Sequence, residues 1–530
     1  MTDEQLAAVT WTHTSSNNLI LEAVAGSGKT FTIIEMLIAI NHHFPTARSA
    51  LMSFNAKVRD ELKSRVLTKA LRNTEVNTVH GFGFSAFKSH FGPRKPNAYK
   101  LTDLLEPLLK QFKLNYSFSK PITQTVSIAK DTGMDLFYPN TTNEWRKLID
   151  YHDISWDEEK LPLSSFINLC ADLFSLSVKN TDKIDFGDMI YLPLKHNLPF
   201  PQFDFVFIDE AQDTNATRRE VAKRMLKQKL EDCPATGRAE QFSETTGRLI
   251  AVGDRHQAIY GFTGADNDAL DILKKEFSAQ ELPLSTCFRC SKAVIRHAQK
   301  IVSHIQPRVG AIEGAVNLSM PEYNFHENLF TQSFPNLQRS AILCRKNAPL
   351  ISLAFQLLEK QIPCRIEGRD IGQELIKLCK KFDSEKSVND RGAGTSPQRV
   401  GKLALSHALT KHLSDQSSKL SPYKLDLLSD KISAIQSILQ LPSITSVPQL
   451  YQQIESVFSD YDPSKPSKLT LSSVHKSKGL EWPTVYLLGR NAWMPSKFAS
   501  QPWMEEQEQN LIYVAITRAK ETLYEITVED

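Results

Sequence analysis

The run Ala23-Val24-Ala25-Gly26-Ser27-Gly28-Lys29-Thr30 follows a strand-like apolar pattern and opens a helical one. Glycines there let the amides of Ala25, Gly26, Ser27 and Gly28 curl around phosphate, and the helix N-terminus adds positive potential. Lys29 is placed to meet the β- and γ-phosphates of ATP, and Thr30 to hold Mg2+. The strict pattern begins with Gly, where this chain has Ala23. A second cluster, Asp209-Glu210-Ala211-Gln212-Asp213, ends another apolar run. Adjacent carboxylates at a strand's C-terminal end can divide two tasks: Asp209 binds Mg2+, and Glu210 orients and deprotonates the attacking water. A third run reaches Gly253-Asp254-Arg255-His256-Gln257, where the Gln257 amide can donate to the γ-phosphate or to that water. Three strand ends with phosphate, metal and sensor chemistry predict one site at the mouth of one sheet.

The elements that must position these groups are legible as short apolar runs at 18–24, 50–54, 203–209, 248–254, 340–345 and 484–489, separated by helical patterns such as 30–40 and 55–67. Apolar strands alternating with helices predict an α/β fold with parallel sheets covered on both faces. The strands fall into two groups, before and after about residue 280, which predicts two sheets. Residues 91–183 read as a mainly helical insertion punctuated by Pro93, Pro96 and Pro107. Residues 373–465 read as a second, reduced helical insertion that opens on a Gly/Ser/Asp-rich linker at 383–398. The predicted divisions are 1–90 and 184–280 for the first α/β domain around its insertion, and 281–372 and 466–530 for the second.

A length of 530 residues is too great for one core, and 41% hydrophobic with 23% charged residues is ordinary for a globular chain. No apolar run approaches the ~20 residues that span a bilayer, and the N-terminus lacks a basic, apolar leader. Seven cysteines in so long a chain make no disulfide framework, which places the protein in a reducing cytosol. Cys287-x-x-Cys290 has metal-like spacing, but no second close pair follows it, and zinc is not expected. The net charge of +3 says little, so the distribution matters more. Lys88, Arg94, Lys95, Lys100, Lys110, Lys113, Lys120 and Lys130 are interleaved with Phe87, Phe91, Tyr99, Phe112, Tyr116 and Phe118. Such a stretch can follow phosphates and stack on bases; it fits a solvated face over an aromatic core equally well.

Taken together, the phosphate loop, Asp-Glu-Ala-Gln-Asp and Gly-Asp-x-x-Gln resemble the UvrD/Rep/PcrA family of superfamily 1A, with wording close to F-box DNA helicase and phage-type members. Ala23 is itself similar to that family's loop. The resemblance implies two RecA-like parallel-sheet motor domains, each with a helical insertion, and ATP held between them. It assigns Gln5 to adenine, and Ser53-Phe54-Asn55-Ala56-Lys57 and Thr78-Val79-His80-Gly81-Phe82 to DNA-contacting motifs, hence Phe54, Asn55 and His80. Tyr260 and Phe262 would lie beside bases. Asp185-Phe186-Gly187-Asp188 matches the return from the first insertion. Arg289, in Ser285-Thr286-Cys287-Phe288-Arg289-Cys290, resembles the arginine that reaches the γ-phosphate, and Arg518, in Tyr513-Val514-Ala515-Ile516-Thr517-Arg518-Ala519, a second arginine finger. Val474-His475-Lys476-Ser477-Lys478-Gly479-Leu480-Glu481 resembles the motif that couples DNA to nucleotide, with His475 assigned to DNA and Glu481 resembling the carboxylate that contacts the nucleotide.

The function so implied is an ATP-dependent 3′-to-5′ single-stranded DNA translocase or helicase of repair, recombination or replication. It would be cytoplasmic, or nucleoid-associated in a bacterium or phage, working beside DNA-bound proteins or repair factors and without a membrane. The alternative is an ATP-sensing, DNA-binding subunit of a repair or defence assembly. Only residues 519–530 follow Arg518, enough to complete one strand at 522–528 and with no room expected for a nuclease domain or for a duplex-splitting hairpin; the expectation is robust translocation and protein displacement with weak unwinding of long duplexes.

Overall fold

The computed structural model describes all residues except 54, 230–243, 262–263, 267, 332, 384–400, 418, 459–467 and 530. The expected linker at 383–398 therefore lies outside the described residues from 384 onward. The chain divides into two compact units, Met1–Thr286 and Cys287–Asp530.

In the first unit, six strands form a wholly parallel sheet: β1 (Leu19–Ala23), β2 (Ser49–Ser53), β3 (Thr74–Thr78), β4 (Phe205–Asp209), β5 (Arg248–Gly253) and β6 (Gln280–Leu284), in the order β3-β2-β4-β5-β1-β6. The central strands are buried on both faces, which is why they read as unbroken apolar runs. Helices α1 (Asp3–Thr14), α2 (Lys29–His43), α3 (Ala56–Thr68) and α4 (Val79–Phe91) come before the insertion. Because β6 pairs with β1, the first unit runs to Thr286, six residues past the boundary expected at 280.

The first insertion is helical, with α5 (Lys100–Gln111), α6 (Ser119–Thr132), α7 (Thr142–Tyr151) and α8 (Leu163–Lys179) before α9 (Asp188–Lys195) returns the chain to the sheet. Its core gathers Leu105, Ile122, Val126, Trp145, Phe166 and Leu173. Beneath that core lies a buried ion quartet. Lys100 Nζ donates to Asp188 Oδ2 at 2.6 Å, and Lys130 Nζ to Asp188 Oδ1 at 2.6 Å and Asp185 Oδ2 at 2.8 Å. Two ammonium groups and two carboxylates sum to zero, and the remaining donors go to Ser177 and Asn180, so the set is paired and hydrogen-bonded.

This corrects the reading of Lys100 and Lys130 as part of a phosphate track, because both are inside the protein. Lys110 is engaged by Glu106 one turn earlier, and Phe87 and Phe118 belong to the insertion's core; Tyr99, Phe112 and Tyr116 are exposed.

In the second unit, β7 (Ala315–Pro321), β8 (Ser340–Cys344), β9 (Cys364–Ile366), β10 (Leu469–Ser473), β11 (Trp482–Leu488) and β12 (Ala519–Thr527) form another parallel sheet, ordered β7-β12-β11-β8-β10-β9. The reduced insertion supplies helices Arg369–Asp383, Lys402–Gln416, Pro422–Leu439 and Val447–Val457. Leu405, Ile435 and Ile454 from these helices share one core with Leu469 and Leu471 of β10. Asp430 accepts from the Asn347 and Ala348 amides at 2.8 and 2.9 Å, capping the helix Asn347–Glu359 from outside.

Replacing Lys130 by Met leaves Asp185 and half of Asp188 as uncompensated buried charge, a change that costs about 3–5 kcal/mol. Thermal unfolding should show a markedly lowered midpoint for Lys130→Met, and an unchanged midpoint would remove the quartet from the account of this junction.

Candidate active site

Gly28 caps α2 at φ 82° and ψ 31°, a left-handed conformation that a side chain would strain. The turn lifts the loop over the N-terminus of α2, whose first amides have no partner within the helix. Ser27 Oγ is buried without a hydrogen-bond partner, as a hydroxyl facing an intended ligand would be. Gln5 lies against this loop: its Nε2 donates to Ser27 O at 3.2 Å, while its Oε1 accepts from Thr2 N at 3.0 Å and its own amide donates to Thr2 Oγ1. The amide expected to read adenine thus also closes a reciprocal cap on α1.

The ordered strand ends bring the other groups to this loop, since β5 lies between β1 and β4. Asp209 ends β4 and is 5% exposed. Glu210 follows at φ 53°, a left-handed conformation that costs a non-glycine residue about 1–3 kcal/mol. That turn sets its carboxylate 3.3 Å from Lys29 Nζ. Burial pushes Asp209 up to about 7, with the adjacent Glu210 carboxylate adding to the effect and Lys29 opposing it. Burial disfavours charge on Lys29, yet the fields of Glu210, Asp254 and Asp209 outweigh it and hold the ammonium above its ordinary range. Three carboxylates against one ammonium leave an excess of negative charge that a divalent cation fits, with Asp209 and the half-buried Thr30 as the oxygen donors. Gln257, 5% exposed, donates its Nε2 to Asp254 Oδ2 at 2.7 Å.

Sequence reading missed the residue that ties these groups together. Gln212 donates to Glu210 Oε2 at 2.5 Å and accepts from the Asp254 amide at 3.0 Å. It packs so closely on β5 that a Cβ at Gly253 would lie 2.6 Å from its Oε1. Its place in Asp-Glu-Ala-Gln-Asp was the available signal.

Among the expected DNA contacts, Asn55 is exposed and caps α3 through Val58 N at 3.0 Å. His80, on α4, lines a small cavity with Asp209, Glu210, Asp213 and Arg218. Burial, and then the charge of Arg218, push its ring down to about 4. Tyr260 is half-buried, and Phe54 and Phe262 lie outside the described residues. Phe186, which no sequence argument assigned to DNA, is 59% exposed between the buried Asp185 and Asp188 of the quartet.

The second unit assembles its own group. Arg289 Nε donates to Glu481 Oε2 at 2.6 Å and its Nη1 to Thr517 O at 3.2 Å. Lys520 Nζ holds the other oxygen of Glu481 at 2.9 Å. Arg518 is 1% exposed and directs its guanidinium to Val514 O, Leu480 O and Thr517 Oγ1 at 3.0, 3.1 and 3.3 Å. Burial, followed by repulsion from Arg289, draws Arg518 down to about 9. Burial and then Arg345 push the His475 ring down to about 3, so it is neutral at physiological pH. Arg345 itself is locked in a buried pair with Glu508 at 2.8 Å, a contact no motif announced.

Residues 1–278 match the family model of the UvrD/REP helicase N-terminal domain, and residues 369–530 that of the UvrD-like helicase C-terminal domain. The chain belongs to the UvrD-like helicase family. DNA helicase II of Haemophilus influenzae is 20% identical over 96% of this chain and 81% of its own length. F-box DNA helicase protein 1 of Schizosaccharomyces pombe is 24% identical over 99% of this chain and 57% of its own. ATP-dependent DNA helicase PcrA of Bacillus subtilis is 24% identical over 96% of this chain and 81% of its own. A UvrD-like helicase uses ATP, which agrees with the chemistry at the mouth of the first sheet. None of the described helices is long and apolar enough to cross a membrane.

In this UvrD-like helicase, Gln212→Leu removes the tether between Glu210 and Asp254 and leaves a buried amide unpaired. Steady-state turnover should fall roughly 10- to 100-fold, with nucleotide affinity changed only a few-fold. Wild-type turnover in this variant would show that the tether positions nothing.

Proposed function

We propose that this chain is a motor that hydrolyses Mg2+-ATP to move 3′-to-5′ along single-stranded DNA in repair, recombination or replication, in the cytoplasm or nucleoid. The observation that carries the reading is the meeting of Lys29, Asp209, Glu210 and Gln257 on adjacent strand ends of one parallel sheet. Lys29 and the amides of Ala25 to Thr30 hold the phosphates, and Gln5 lies beside the base. Bound at Thr30 and Asp209, Mg2+ supplies charge compensation to the phosphates. Glu210 takes the proton of the attacking water, whose position Gln257 fixes. Arg289 and Arg518 of the second unit are assigned to the charge that develops on the transferred phosphoryl group, with Glu481 orienting Arg289.

DNA contacts fall to Asn55, His80, Tyr260 and His475, with the exposed Phe186 added as a stacking face; Phe54 and Phe262 rest on resemblance alone. Since both histidines are held neutral, they act by hydrogen bonding or stacking and release no counterions. The names of the relatives support DNA rather than RNA as the track. One observation favours the second reading, an ATP-sensing subunit of a larger assembly: Arg289 and Arg518 both donate to groups of their own unit, Glu481 and Thr517 for the first and Val514 and Leu480 for the second.

ATPase and streptavidin-displacement assays on the full chain separate the readings. Single-stranded DNA should stimulate turnover, and streptavidin should leave a 5′-biotinylated end faster than a 3′ end. Arg289→Ala should lower turnover by ~10³-fold while retaining DNA binding. DNA binding with no stimulated turnover would instead establish the sensing role, and faster release from the 3′ end would reverse the polarity.

A further inference from the structure

Arg289 is flanked by two thiols that the nucleotide site does not use. Cys287 opens the second unit, and both Cys287 and Cys290 are buried, at 0% and 3% exposure. The Cys290 amide donates to Cys287 Sγ at 3.4 Å, so the four-residue turn folds the second cysteine back over the first. Cys290 Sγ donates to Thr517 O at 3.7 Å, the same carbonyl that accepts from Arg289 Nη1 at 3.2 Å. Thiol and guanidinium therefore share one acceptor, so drawing the Cys290 side chain away from Thr517 O alters the surroundings of Arg289.

The electrostatics separate the two thiols: the Cys287 sulfur, and then burial, hold Cys290 well above the ordinary thiol range, while Cys287 moves the other way. The neighbouring Cys290 thiol, then the amides of Cys290 and Arg289 and the Arg289 charge, draw the Cys287 thiol down to about 7 against the effect of burial. Burial pushes Cys344 and Cys364 up to about 12, where almost no thiolate forms at neutral pH. Phe288, between the two cysteines in the chain, is 42% exposed, so the turn that carries them reaches the surface.

We propose that Cys287 and Cys290 are a reversible dithiol–disulfide modification site whose oxidation displaces Arg289 and throttles ATP turnover. The oxidant is a hydroperoxide. The Cys287 thiolate attacks the peroxide oxygen, the O–O bond breaks, and the sulfur becomes a sulfenic acid as hydroxide leaves and is protonated to water. The Cys290 thiol then attacks that sulfur, forming the S–S bond, and its proton goes to the departing hydroxide, which leaves as a second water. Two thiols and one hydrogen peroxide give one disulfide and two waters. The bond pulls Cys290 Sγ from Thr517 O and reshapes the turn on which Arg289 sits. A thiol reductant reverses it, as a redox-sensing pair in a reducing compartment requires.

The regulatory half of this inference rests on the assignment of Arg289 above; the modification does not. The test uses the full chain carrying Cys233→Ser, a change at the one cysteine outside the described residues; it is treated with hydrogen peroxide, alkylated with N-ethylmaleimide and digested after Arg289. The peptides bearing Cys287 and Cys290 should be joined by a disulfide, DNA-stimulated ATPase should fall about 10-fold or more, and dithiothreitol should restore both. Cys290→Ser and Cys287→Ser should keep the reduced rate and lose the peroxide sensitivity. Free, alkylated Cys287 and Cys290 after peroxide overturns the site. A joined pair with undiminished turnover, or equal inhibition in both variants, overturns the regulation. Were the reduced chain to lack ATPase altogether, the proposed function would fail and peptide mapping alone would still decide the modification.

Discussion

Three carboxylates packed around one ammonium set the terms for the first unit. Asp209, Glu210 and Asp254 all act on Lys29, and Asp209 and Asp254 are buried. Such a cluster is costly to desolvate, and Lys29 faces all three carboxylates, with His256 adding to the field at Asp254. The Lys29–Glu210 pair, at 3.3 Å, therefore occupies both the residue meant for phosphate and the residue meant for water. Under the proposed function, a nucleotide with its divalent cation would offset the excess charge, and Lys29 would exchange Glu210 for the phosphates.

The rest of the unit holds that cluster in place. Strand order puts the phosphate loop, Asp254 and Asp209 on neighbouring strand ends, and Gln212 fixes two of the three loops to each other. The left-handed Glu210 is sustained by this bracing, which is where local strain is expected to persist. Farther out, α9 carries Asp188 of the buried quartet, so the helical insertion is joined to the motor core through charge as well as apolar contact.

Much of this was legible in the chain, and the exceptions have a pattern. Buried central strands such as β1, β4 and β5 show as apolar runs because both faces are covered. The strands that escaped notice include β3, β6, β7 and β9, which are the four sheet edges, where one side meets solvent or loop and polar residues are tolerated. The fifth, β10, is fully buried but carries Thr and Ser in the sequence Leu-Thr-Leu-Ser-Ser, which masks it. Motif residues were placed by type and spacing, but their partners were not. Lys29 and Glu210 are 181 positions apart, and Lys100 was taken for a surface cation because its carboxylate arrives 88 positions later. Local composition carries no information on such pairings.

The most direct test of the charge-cluster account measures ATP affinity and turnover together in Glu210→Gln. Removing one carboxylate frees Lys29 and lessens the repulsion on the incoming phosphates, while the metal ligand Asp209 stays. Equilibrium binding of Mg2+-ATP should be as tight as in the wild type or tighter, with hydrolysis nearly abolished. Weakened ATP binding with hydrolysis retained would contradict both the role of the Lys29–Glu210 pair and the assignment of the base.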